Sequence, residues 1–143
     1  MTSTARAQVF RRMLAREAGP DAAAPAIAAA ARRLGECLAR QLTPLIGDAG
    51  VAAILARSLH LTERRVPGLA PFRAADRNDA PFAVLQRSMQ QLDPAASTDA
   101  AIAILGTTVE LLASFIGESL TTRLLREAWP DDFAGDTTEE THT

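Results

Sequence analysis

Lysine and tyrosine are absent from the 143 residues, cysteine and tryptophan occur once each, and there are only two histidines. The single Cys37 excludes an internal disulfide and any CxxC metal or redox pair. It lies in an amphipathic stretch and reads as a small core residue. His60 is the one histidine inside a predicted helix, because His142 falls in the C-terminal tail. With no HxxxH pair, the chain by itself offers no metal site, and no cofactor is expected. Ser58, Ser88, Ser114 and Ser119 all fall in helical runs and none sits in a G-x-S-x-G elbow, so no catalytic serine is assigned. Gly47-Asp48-Ala49-Gly50 is too short for a phosphate loop and lacks its lysine. No continuous apolar run follows Arg11 and Arg12, which argues against a targeting segment. The most apolar stretch, 100–116, is interrupted by Thr107, Thr108, Glu110 and Ser114 and reads as a core helix, not a membrane span. A cytoplasmic location is the resulting expectation.

What is present is alanine, about a fifth of the chain, and arginine, which supplies all fifteen basic residues. A GC-rich bacterial coding sequence explains both more simply than function does. The net charge of −2 gives no overall attraction to nucleic acid or anionic membrane. Its distribution is uneven. Up to Arg65 there are ten arginines against five acids, and beyond it five arginines against twelve acids. The two parts should attract each other and give the molecule a dipolar surface.

A motif occurs twice. Residues 45–57 read LIGDAGVAAILAR and 115–126 read FIGESLTTRLLR; placing Gly47 on Gly117 gives an offset of 70. Leu42 then matches Leu112, Leu45 matches Phe115, Ile46 matches Ile116 and Asp48 matches Glu118. The pattern is an apolar helix end, a glycine, an acid and a second apolar run: a helix-glycine-helix elbow used twice.

Around it the chain reads as helices throughout, with no strand-like alternation. A first helix covers 4–18, with Val9, Phe10, Met13 and Leu14 on one face, and Gly19-Pro20 ends it. A second starts near Ala24 with Pro25 in its first turn, and carries Ile27, Ala31, Leu34, Leu38, Leu42 and Leu45 as its inward stripe. Pro44 should kink it or start a fresh turn after Thr43. Gly47 should end it, and Asp48 should cap a third helix whose inward face is Val51, Ile54, Leu55, Ser58 and Leu59. Two prolines and a glycine mark 65–78 as a connector, with Val66, Leu69 and Phe72 packing over the bundle. The second unit opens with Asp79 as N-cap and continues with Phe82, Leu85, Met89 and Leu92. Asp93-Pro94 and Ser97-Thr98 are alternative starts for a long helix bearing Ile102, Leu105, Val109, Leu112 and Ile116, widened by Ile104, Leu111 and Phe115. Glu118 caps less well than Asp48, leaving open a bend within one helix reaching Ala128. Trp129-Pro130 closes the fold, and the acidic, threonine-rich 134–143 reads as a disordered tail.

The expected architecture is an all-α bundle of five to six helices in one domain, 1–133. It comprises two tandem three-helix units, short-long-short, at 4–64 and 79–130, related by a pseudo-twofold. The expected function is a non-enzymatic protein-interaction module, a regulatory subunit or adaptor, whose partner is another protein or a second copy. Arg11, Arg12 and Arg16 would make rim contacts, and Trp129 is either an anchor on its own core or an interface residue. One alternative is a small-molecule sensor with a pocket between the long helices near Glu110. Glu110 sits in a stripe of small residues, Ala103, Gly106, Ala113 and Gly117, where it should meet an arginine of a neighbouring helix as a buried ion pair. Another alternative is phosphotransfer through His60, flanked by Arg57 and Arg64. Histidine phosphotransfer domains are also helical bundles with one helical histidine, but they follow it with a lysine-glycine pair, and the run here is H-L-T-E-R-R. A helix-turn-helix over 39–61 would have Arg57 as the only cation of its second helix before Arg64, too few for groove contacts, so nucleic acid is not an expected partner.

Overall fold

The computed structural model describes residues 2–66 and 81–133. Most of the connector, with Leu69, Phe72 and Asp79, and the tail 134–143 lie outside the described residues, as does the side chain of Leu85. Every described element is helical, so the fold is all-α: α1 (Ser3–Ala18), α2 (Ala24–Glu63), α3 (Pro81–Gln90), α4 (Pro94–Ile116) and α5 (Glu118–Ala128).

Local chemistry sets the starts and stops. Thr2 caps α1 by accepting from the Ala5 amide at 3.0 Å. Asp93 caps α4 by accepting from the Ala96 amide at 2.8 Å, with Pro94 in the first turn, which settles the start of that helix. The long helix α2 is broken in one place. Gly47 has φ 76° and ψ 167°, outside the helical region, and Gly117, between α4 and α5, has φ 91° and ψ 159°. This extended, positive-φ backbone is open essentially to glycine alone.

Of the two outcomes expected at Pro44, a fresh turn after Thr43 does not occur, because the backbone stays helical through Pro44 to Ile46. The Thr43 hydroxyl donates to the Ala39 carbonyl at 2.8 Å in that turn. Asp48 is not an N-cap either. It is the first helical residue after Gly47, as Glu118 is after Gly117, and the glycine holds the cap position with no side-chain cap bond at the second elbow. An acid there still suits the positive end of the helix dipole.

The limb that leaves each elbow folds back on the other long helix. In the second limb of α2, Ser58 is fully buried and its hydroxyl donates to the Ile104 carbonyl of α4 at 2.9 Å. Thr108 donates to Ser58 Oγ at 2.9 Å, tying the same two elements together. At the end of α5, the Ala128 carbonyl lies 3.5 Å from Cys37 Sγ in the first limb of α2. Cys37 is half-buried against the core. The core between these limbs includes Leu34, Leu38, Leu42, Ile54, Leu55, Ile104, Val109, Leu112 and Leu124. Full burial of each large aliphatic contributes about 1.5–3 kcal/mol.

α1 lies over α4 and reaches the acidic second half of the chain. Arg6 pairs with Glu118 at 4.0 Å, Arg11 with Asp99 at 3.3 Å and Arg16 with Asp132 at 2.8 Å. The sequence asymmetry of charge is thus partly satisfied inside the molecule. α3 lies over α2: Gly35 leaves room for the Phe82 ring, and Arg32 donates to Gln86 Oε1 at 3.0 Å. A helical turn at 130–133 carries Phe133 into a cluster with Phe10 and Trp129, ring centroids 5.9–6.0 Å apart.

Candidate functional site

The periodic stripes place Leu45 and Phe115 inward, and the structure overturns this. They are the large hydrophobic side chains left exposed among the described residues, Leu45 at 52% and Phe115 at 75%. Each stands two residues before an elbow glycine. There the chain is leaving its helix, and the last apolar turn projects past the end of the core. The helical period continues the stripe into that turn and carries no mark of where the packing partner stops.

Beside Phe115 runs a groove of about 560 Å³, open to solvent on one side, between the second limb of α2 and the last turns of α4. Ile46, Gly50, Ala53, Ile54, Leu111, Phe115 and Ile116 line it. Gly50 and Ala53 keep the floor low. At the offset of 70 that sets Gly47 on Gly117, Leu120 and Arg123 stand at those two positions. Arg57 is the single charged residue of the lining, is exposed, and has no ion pair among the described residues.

Among the described residues no hydrogen bond or ion pair joins Glu110, Arg57 and His60 to one another. Glu110 is exposed and accepts from Ser3 Oγ at 3.2 Å, so it forms no buried ion pair. α1 meets α4 there with its N-terminal end, where its nearest polar group is a serine hydroxyl. The His60 side chain is 42% exposed, with Nδ1 3.5 Å from Glu63 on its own helix. Trp129 is buried at 8% in the Phe10–Phe133 cluster, which makes it an anchor of its own fold. Arg11 and Arg16 are held by Asp99 and Asp132; Arg12 is exposed and has no ion pair among the described residues. The hydrogen bond and charge of Asp132 push the Arg16 pKa further up, so this guanidinium stays charged at every working pH.

No group of three or more His, Cys, Asp or Glu close enough to hold a metal occurs among the described residues. By length and mean hydropathy α2 and α4 could each cross a membrane; in this fold the inward faces of both belong to the shared core. No protein-family model, no curated protein and no solved structure matches the chain.

Proposed function

We propose that this protein is a non-enzymatic helical interaction module, a regulatory subunit or adaptor of a bacterial cytoplasm, that works by binding a protein through the elbow end of its bundle. The observation that carries the reading is the exposed Phe115 beside an apolar groove whose one charged residue, Arg57, has no ion pair among the described residues, with Leu45 a second exposed apolar side chain next to an elbow glycine. Covering Phe115 alone is worth about 1.5–3 kcal/mol, enough to make it an anchor. The geometry around Glu110 and His60 gives no comparable support to chemistry, since Glu110 is exposed with Ser3 of α1 as its partner and His60 is 42% exposed beside Glu63.

The same elbows support a duplicated architecture, in which two tandem units pack through a pseudo-twofold. Gly47 and Gly117 share one unusual backbone conformation, and the burial pattern over 41–50 recurs residue for residue over 111–120. An apolar small molecule in the groove is the second reading, favoured by its volume and by Arg57 as a counter-charge.

The experiment is affinity purification of the full chain from its source cells. Leu45→Asp with Phe115→Asp should lose the bound protein, while reversing Arg12 and Arg16 to Glu reports on the α1 face. Retention of the partner by the elbow variant would refute the reading. A gain in melting temperature with a metabolite, abolished by Arg57→Ala, would favour the second reading.

A further inference from the structure

We propose that the outer face of the second limb of α2 is the interface of a homodimer, two copies lying antiparallel with their Ala53 residues facing; this rests on the interaction-module reading and names its partner. At a spacing of three and four, Ala49, Ala53 and Ala56 form one face, and no charged residue occurs between Asp48 and Arg57. Ala49 and Ala53 are exposed, and such small side chains permit close approach of another helix.

Charge selects the occupant. Toward the elbow stand Asp48 and Glu118, both exposed; at the other end of the limb stand Arg57, Arg64 and Arg65, also exposed, with one half-buried acid, Glu63, among them, so that end is basic on balance. Asp48 and the three arginines have no ion pair among the described residues, and Glu118 holds only Arg6, at 4.0 Å. A surface that is acidic at one end, neutral in the middle and basic at the other is complementary to itself when reversed. A twofold axis at Ala53 performs that reversal and sets each Arg57 toward the partner's elbow. Phe115, 75% exposed at the same end of the bundle, is then available to an arginine of the second copy. The groove's open side favours a macromolecule over a small ligand, which an enclosed site would bury more completely.

Sedimentation equilibrium of the full chain over a wide concentration range tests this. The expected result is a reversible species at twice 15.2 kDa. Arg57→Glu should weaken dimerisation about tenfold or more, and Ala53→Asp should abolish it. Both variants should keep the wild-type melting temperature when measured at a concentration where the wild type is monomeric. In a Cys37→Ser background, Ala53→Cys should oxidise to a disulfide-linked dimer, and Ala26→Cys, exposed on the first limb, should not. A chain that stays at 15.2 kDa throughout, or a dimer indifferent to Ala53→Asp and not cross-linked by Ala53→Cys, overturns the proposal. A monomer that still binds another protein through Leu45 and Phe115 would overturn the dimer alone and leave the broader reading standing.

Discussion

Gly35 serves a different purpose from the two elbow glycines, and substitution should separate them. A Cβ on Gly35 would lie 2.7 Å from Phe82 Cε1, so Gly35→Ala must displace that ring. Overpacking costs about 1–3 kcal/mol, against a helix-propensity gain of about 1 kcal/mol. A net loss is expected in urea unfolding, relieved by Phe82→Leu. A Cβ on Gly47 or Gly117 would meet nothing within 4 Å, and their requirement is the backbone itself. Alanine at either should cost about 1–3 kcal/mol, with similar values at both sites. Gly106, helical and equally uncrowded, is the control: alanine there should leave stability unchanged or raise it by up to about 1 kcal/mol. The elbows were legible in the sequence because glycine, an acid and flanking apolar residues recur at a fixed offset. The role of Gly35 was not, since its neighbour Phe82 is 47 residues away in the chain and nothing local marks the contact.

At the scale of elements, the joint between the second limb of α2 and α4 turns on a buried hydroxyl relay. Ser58→Ala removes the donor to the Ile104 carbonyl and the acceptor of the Thr108 hydroxyl, at a cost of about 1–3 kcal/mol. The one Thr108 hydroxyl proton is shared between Ser58 Oγ and the Ile104 carbonyl, 2.7 Å away, so Ser58→Ala and Thr108→Val should couple instead of adding, which a double-mutant cycle would measure. At the other end of the bundle, Trp129→Ala should destabilise the isolated chain by about 3–5 kcal/mol, because the indole packs on Phe10 and Phe133. A side chain serving only an external partner would leave monomer stability intact. Hydrophobic periodicity marked the helices and their buried stripes well. It failed where an element ends, at Leu45 and Phe115, because period alone does not register which turn still has a neighbour; at Asp48 capping preference misled, because the positive-φ glycine before it already holds the cap position. Glu110 failed for a related reason. Its stripe of small residues promises a close helix, while the element that crosses there brings only Ser3 to the carboxylate.

At the scale of the whole molecule, the uneven charge of the chain explains how α1 is held. Its arginines reach α4, α5 and the 130–133 turn; the Arg11–Asp99 pair, exposed on both sides, contributes roughly 0–1 kcal/mol and is screened by salt, while Arg6 and Asp132 are the sheltered members of the other two pairs. What is left over is more informative than what is paired: an acidic elbow end, an Arg57 with no ion pair among the described residues, and two exposed apolar side chains, each two residues before an elbow glycine. The proposed duplication accounts for Leu45 and Phe115 together, and the difference between Gly50-Ala53 and Leu120-Arg123 explains why one side is grooved. The most direct measurement is the native mass of the chain purified from its source cells, compared with Phe115→Asp under the same conditions. The account predicts an assembly heavier than 15.2 kDa that reverts to the monomer in the variant, with no loss of melting temperature. A mass of 15.2 kDa for both, or an assembly unchanged by the substitution, would contradict it.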